Sequence, residues 1–282
     1  MSENLLKKYK IKAKKSLGQN FLVNEKIVEE ISNQLDINDK NIIEVWPGYW
    51  ALTEKLLEKN PKSLRLIELD NDMIDILNDR IWNNNLNIWD IDFKIKNIDV
   101  LKYFPEFKEY FVIANIPYYI TSPILKHFLY DVENKPKKML ILMQKDVGDK
   151  IVKWQLKEED ITKKNKNKTS VLSLFIAKKA FVKEVLFVWK QNFVPAPKVE
   201  SSVLLFENHG LYDDIDDKEF LDLIKKWFSE PRKKLVKNLL KNWLNKEKLL
   251  KTFEVLNLWE NTRAEELTLE KWIEFINEYK KA

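Results

Sequence analysis

Between Ala114 and Tyr118 the chain reads Ala-Asn-Ile-Pro-Tyr. An exocyclic adenine amine is a poor nucleophile because its lone pair is delocalised into the ring. The amide oxygen of Asn115 and the carbonyl of Ile116, both accepting from such an NH₂, would favour a more tetrahedral, nucleophilic nitrogen. Pro117 would stiffen the turn that aims them, and Tyr118 offers a ring face on which a base can stack. Standing alone, the segment would read as an Asn-X-Pro turn capping a helix.

Three further segments change that balance. Glu44-Val45-Trp46-Pro47-Gly48-Tyr49-Trp50, followed by Ala51-Leu52-Thr53, has the layout of a first strand-to-helix turn. In a nucleotide-binding domain that turn must let a ligand approach the backbone, which favours small residues. Glu68 falls twenty positions after Gly48, and an acid at that offset commonly accepts hydrogen bonds from ribose hydroxyls. Asp99 closes the next β-rich run; two acids on successive strand tips favour a ribose and adenine site over two surface carboxylates. Phe193-Val194-Pro195-Ala196-Pro197-Lys198-Val199 and then Ser201 form a Pro-bracketed loop, in which Phe193 is either a second stacking wall or an apolar anchor.

The elements needed to position these residues are legible as periodicity. Strands are expected at Asn41–Val45, Leu64–Leu69, Phe93–Ile98, Tyr110–Ala114 and Lys138–Met143, with helices at Ala51–Asn60, Asn71–Ile81 and near Ser122–Tyr130. Alternating β and α units imply a parallel sheet covered on both faces. Val185–Val188 and Ser201–Glu207 are expected to form a hairpin-like edge. Beyond Lys218 the pattern is helical: Lys218–Ser229, Arg232–Asn242, Lys246–Leu256 and Thr268–Lys280. The expected division is residues 1–210, opening with a basic arm at 1–20, and a helical domain at 211–282. Asn165–Lys168 is the one low-complexity patch and reads as a loop.

Composition removes several classes of chemistry. The 282 residues include no Cys, so disulfides, thiolate nucleophiles and Cys-ligated zinc are excluded. His127 and His209 are the only histidines, and no metal site is expected. No apolar run is long enough to span a membrane, and the N-terminal residues lack a signal-peptide apolar core; a cytoplasmic, monomeric protein is expected. The net charge of +5 is uneven: residues 1–20, 153–190 and 225–251 carry +5, +6 and +8, leaving −14 on the rest. Basic blocks beside an acidic body suit a polyanion partner, although solvated Lys-rich faces would give the same count.

Taken in order and spacing, Lys15-Ser16-Leu17-Gly18-Gln19-Asn20-Phe21-Leu22, Glu44–Thr53, Ile67–Asp70, Asn115–Tyr118 and Phe193–Ser202 resemble the KsgA-type ribosomal RNA adenine N6-dimethyltransferases, a branch shared with the Erm resistance methyltransferases. The resemblance spans essentially the whole chain. It implies an α/β, Rossmann-like methyltransferase domain with a small all-helical C-terminal domain, and S-adenosyl-L-methionine as cofactor. It implies dimethylation of two adjacent adenines in the 3′-terminal hairpin of small-subunit rRNA, presented by a pre-30S ribosomal particle. Cofactor contacts would fall on Asn20, Leu22, Trp46, Gly48, Glu68, Asp99 and Asn115, with Glu68 on the ribose and Asp99 on the adenine. The target base would be clamped by Tyr118 and Phe193, with Asn115, Ile116 and Pro117 shaping the acceptor turn. Lys14, Lys15, Arg232, Lys233, Lys234 and Lys237 would grip phosphates. Thr121-Ser122-Pro123 and the Lys-Ser-Leu-Gly entry resemble the KsgA side more than Erm. An Erm-type large-subunit enzyme and a catalytically silent assembly factor are the alternatives.

One departure stands out. The family carries Gly where this chain has Trp46, and Gly or Ala at Trp50; an indole at either place is expected to fill the groove of the cofactor's methionine end. The whole chain has 4 Gly and 10 Trp, against an ordinary Gly usage of about 7%. Trp82, Trp89, Trp154, Trp189, Trp227, Trp243 and Trp259 also stand where Gly is acceptable or a large apolar residue has no evident core, and only Trp272 suits its helix. The expectation is that most are UGA codons written as Trp but read as Gly.

Overall fold

A computed structural model describes residues 6–83, 88, 90–152, 169–230, 233–241 and 244–281. The expectations for Trp89, Trp154, Asn165–Lys168, Arg232 and Trp243, and for the side chain of Trp82, lie outside the described residues. The chain divides into two compact units, 1–149 with 182–208, and 150–181 with 209–282. The second unit thus takes in a segment that sequence reading assigns to the first.

In chain order the first unit comprises β1 (Phe21–Leu22), α1 (Glu25–Ser32), β2 (Asn41–Val45), α2 (Ala51–Leu57), β3 (Ser63–Glu68), α3 (Asn71–Asn83), β4 (Asp92–Asn97), β5 (Phe111–Asn115), α4 (Thr121–Lys126) and β6 (Lys138–Gln144). α5 (Lys145–Val152), β7 (Ala180–Val188), β8 (Phe193–Val194) and β9 (Ser201–Asn208) follow, with α6 (Val171–Ala177), between α5 and β7 in the chain, belonging to the second unit. A seven-stranded sheet runs β4-β3-β2-β5-β6-β9-β7. β2, β3, β4, β5 and β6 pair in parallel, and β9 lies antiparallel to β6. The runs Asn-Ile-Ile-Glu-Val, Phe-Val-Ile-Ala-Asn and Lys-Met-Leu-Ile-Leu-Met-Gln bury nearly every residue. Continuous apolar runs are what a parallel strand covered on both faces requires.

The strand order reverses between β2 and β5, and ligands of open α/β sheets settle beside such a switch at the carboxyl edge. Val45 lies opposite Ala114, so the turn after β2 and the turn after β5 leave that edge as neighbours. Not anticipated from sequence is the two-stranded sheet of β1 and β8, which pairs Phe21 with Val194 and Leu22 with Phe193. Two residues per strand give no readable periodicity. The pairing is reinforced where Val23 N–H donates to the Asn192 carbonyl at 2.8 Å and Asn24 Nδ2 donates to Asn192 Oδ1 at 2.7 Å. Asn24 also caps α1 by accepting from Lys26 N–H.

The second unit contains α7 (Asp217–Trp227), α8 (Leu235–Lys241), α9 (Lys246–Val255) and α10 (Leu269–Lys281). Its core centres on Trp227 stacked on Trp272 at 3.9 Å between ring centroids, with Phe275 edge-on to both. Trp227 is fully buried and helical, so this position asks for no glycine, contrary to the compositional expectation. Trp189, at φ −66°, and Trp259 do not ask for it either.

Candidate active site

The carboxyl edge at the β2/β5 switch opens into a cleft with about 840 Å³ of empty space, part of it open to solvent. Asn20, Leu22, Trp46, Gly48, Glu68, Asn115, Ile116, Pro117, Tyr118 and Phe193 all line it. Ten of the eleven positions singled out for cofactor and target base therefore share one wall system. Asp99 is the exception. It stands at the tip of β4 and accepts from Leu101 N–H at 3.0 Å, capping a 3₁₀ turn at Val100–Lys102, and it is not among the lining residues.

The β5 turn is held from behind. Ile116 N–H donates to the Leu142 carbonyl at 3.3 Å and Ile120 N–H to the Pro117 carbonyl at 3.1 Å. The Asn115 side chain makes no hydrogen bond to another described residue and is half-buried at the cleft. Its amide is thus available to an incoming donor. The Tyr118 hydroxyl lies 2.7 Å from Ser201 Oγ, which tethers the ring by its polar end and leaves its faces for stacking; burial raises its pKa. Phe193 reaches the cleft through the β1–β8 pair and is buried.

Two buried carboxylates lie at the carboxyl end of the sheet. Glu68 Oε1 accepts from Leu69 N–H at 2.8 Å and Asp70 N–H at 2.9 Å, and the Gly48 amide nearby also favours its charged form. Burial nevertheless pushes its pKa up to about 7, against the pull of those amides. Glu44 accepts from Thr53 Oγ1 at 2.7 Å, and burial, reinforced by the charge of Glu68, pushes it up to about 8. Among the described residues no group of His, Cys, Asp and Glu forms a metal site, and no helix is long and apolar enough to cross a membrane.

The turn between Val45 and Ala51 carries the departure. Among the described residues six non-Gly positions have positive φ, and two of them are Trp46 at +56° and Trp50 at +91°. The left-handed region costs an L-residue about 1–2 kcal/mol, and glycine adopts it freely. These are the two positions at which the resemblance implies a small residue. Their side chains part company. Trp46 is half-buried on the cleft wall. Trp50 turns into the core against Phe93 and leaves its indole N–H buried without an acceptor. The expectation that Trp50 fills the groove is therefore corrected: the apolar core beneath α2 takes the indole instead.

The basic residues are less uniform than their count. Lys14 is held by Asp70 at 2.5 Å and Asp72 at 2.7 Å, so its charge is spent inside the molecule. Lys15, Lys234 and Lys237 are exposed. Lys233 and Lys241 both pair with Glu230, whose pKa those hydrogen bonds pull down to about 2.

A family model described as ribosomal RNA adenine dimethylase matches residues 10–281. The chain belongs to the ribosomal RNA adenine dimethylase family. A relative from Mycoplasma mobile named ribosomal RNA small subunit methyltransferase A is 37% identical, over 91% of this chain and 94% of its own length. The relative of the same name from Mycoplasmopsis synoviae is also 37% identical, over 90% and 92%. A dimethyladenosine transferase from Plasmodium falciparum superposes with a TM-score of 0.75 at 23% identity, over 92% of this chain and 96% of that one. The 23S rRNA methyltransferase ErmE does so at 0.69 and 16%, over 93% and 100%. At those identities the two structures establish the fold, a Rossmann-like methyltransferase. Membership of the dimethylase family establishes the enzyme class, and the Erm alternative gains nothing further.

The buried carboxylates make stability pH-dependent in a defined direction. Above its ordinary value near 4.5 an unfolded Glu44 ionises freely, whereas the folded one resists until about 8, so ionisation weakens the fold progressively across that window. Glu44→Gln keeps an acceptor for Thr53 and has no proton to lose. Its stability relative to the parent is expected to rise by roughly 2–4 kcal/mol between pH 4.5 and 8, measured by urea unfolding at both pH values.

Proposed function

We propose that this chain uses S-adenosylmethionine to dimethylate the N6 of two adjacent adenines in the 3′-terminal hairpin of small-subunit rRNA, acting as a monomer on a pre-30S particle in the cytoplasm. The observation that carries the reading is the meeting of Asn115–Tyr118, Phe193 and Glu68 on one cleft in a member of the dimethylase family. The curated relatives named for the small subunit favour that substrate over large-subunit rRNA.

When bound, S-adenosylmethionine supplies an electrophilic methyl group on a sulfonium. Glu68 fits the ribose side: a buried carboxylate with its orientation set by backbone amides, and with a pKa near enough to neutrality to accept from two hydroxyls when ionised. Asn20, Leu22 and Gly48 complete that wall. Tyr118 and Phe193 stack on a flipped adenine, which is the usual price of chemistry on a base. The Asn115 amide oxygen and the Ile116 carbonyl accept from its amine and hold it toward the methyl donor. Positioning and electrostatics supply the rate, and no metal is required. Lys15, Lys234 and Lys237 are candidate phosphate contacts.

Trp46 is the misfit. We therefore read residues 46 and 50 as glycine in the native polypeptide, a reading supported by their positive φ. The second reading, a silent assembly factor, rests on the Trp46 indole on the cleft wall being real.

Incubation with labelled cofactor is expected to mark purified small subunits and not large ones, and Asn115→Ala is expected to lower the rate about 100-fold. Labelled large subunits would transfer the assignment to the Erm class. Peptide mass spectrometry of the native protein is expected to report glycine at position 46. In the polypeptide as written, Trp46→Gly is expected to tighten cofactor binding at least about ten-fold in calorimetry, the gain of an opened wall. Lys234→Ala with Lys237→Ala is expected to weaken rRNA binding and to reduce the slope of log K against log salt by roughly 1.5, for two phosphate contacts.

A further inference from the structure

Asp70 is buried, its side chain only 1% exposed, yet three groups from two separate segments converge on it. Lys14 Nζ donates to Oδ1 at 2.5 Å, Gln19 Nε2 donates to Oδ2 at 2.8 Å, and the Asp72 amide donates to Oδ1 at 3.1 Å. Lys14 and Gln19 belong to the arm and are themselves joined, because Lys14 N–H donates to Gln19 Oε1 at 2.9 Å. Between them runs a 3₁₀ turn, Lys15–Leu17, closed by Gly18 at φ +61°. A Cβ at Gly18 would stand 3.1 Å from the Tyr119 ring and 3.3 Å from Pro117 Cβ, so the arm lies directly on the catalytic turn.

Gly18, Gln19, Asn20, Phe21 and Leu22 then form one wall of the cleft. The other side of Asp70 faces the site as well, since its backbone N–H holds Glu68 Oε1 at 2.9 Å. One residue therefore carries the carboxylate assigned to the ribose on its amide and the cover of the cleft on its side chain.

We propose that Asp70 is a positioning residue that latches the arm over the cleft through Lys14 and Gln19 and couples that closure to the placement of Glu68. The coupling rests on the reading that the cleft holds S-adenosylmethionine; the latch itself does not. A charge-assisted bond to a buried carboxylate is strong, and local opening of the arm requires all of its bonds to break together. Ligand that touches both Glu68 and the arm gains when the latch is shut, and the latched arm slows its escape.

Limited trypsin digestion without cofactor tests the latch. Cleavage after Lys14 and Lys15 is expected to be roughly ten-fold faster in Asp70→Asn and in Lys14→Met than in the parent, with far-ultraviolet circular dichroism and melting temperature reporting that each variant is folded. For Lys14→Met only the Lys15 site is scored. The pair of substitutions together is expected to add little to either alone. Equal cleavage rates in folded variants would overturn the latch.

Steady-state kinetics in the Trp46→Gly background tests the coupling. Asp70→Asn is expected to raise KM for the cofactor about ten-fold with kcat within two-fold, and Asp70→Glu to recover part of it. A fall in kcat with KM unchanged would overturn the coupling. Fast cleavage combined with no cofactor binding by the Trp46→Gly parent would retain the latch and overturn the cofactor reading together with the coupling.

Discussion

Val45 lies opposite Ala114 in a parallel pair, and both strands are covered on their two faces by apolar side chains. A one-residue slip of that register would turn every buried side chain of β2 toward the wrong face. The burial that makes the sheet stable thus also sets where the chain leaves it. The turn after β2 and the turn after β5 must emerge side by side, at the one place where the strand order reverses and a crevice has to open. Glu68 joins them because β3 is the other neighbour of β2, and its last residue ends at the same edge.

That arrangement places two carboxylates where water is scarce. Burying an unpaired carboxylate is costly unless it is protonated or fully hydrogen-bonded. Glu68 takes the second route in part, with amides of Leu69, Asp70 and Gly48 around it, and Glu44 takes the first, with a single hydroxyl donor and a pKa pushed up to about 8. The difference follows from position. Glu68 sits at a strand tip, where free amides are plentiful; Glu44 sits within β2, where the amides are already used by the ladder. A tip carboxylate that keeps some charge near neutrality is suited to hydroxyl recognition, and an interior one is suited to tying α2 to the sheet.

Backbone conformation separates the tryptophans that composition treats alike. Trp227 is a helical residue with a full aromatic shell, whereas Trp46 and Trp50 occupy the left-handed region in the turn after β2. A count of ten Trp against four Gly cannot make that distinction, because it carries no torsion angle. The consequence is local: of the described tryptophans, only these two stand where glycine would relieve strain, and only Trp46 faces the cleft.

Much of this was legible in the order of residues. The parallel core strands, the helical C-terminal segment, the Asn115–Tyr118 turn, Glu68 and Phe193 follow from apolar runs, from the Pro-bracketed turns and from spacing along the chain, all of which are local properties. Their limits were local too. The division of the chain sends 150–181 to the second unit, and short-range pattern does not register which of two cores a segment joins. Asp99 looked equivalent to Glu68 as a strand-tip acid, but a 3₁₀ turn uses it as a cap. Lys14 looked like a phosphate contact, but Asp70 and Asp72, more than fifty residues away, hold it. By itself the sequence determined which residues have chemistry suited to the proposed reaction and the periodicity that makes their strands and turns. Only the tertiary structure decided which of them share a wall, which charges remain free, and how β1 meets β8 across 170 residues to bring the arm and Phe193 to one cleft. Those outcomes depend on contacts between segments that are far apart in sequence, and such contacts leave no mark on local pattern.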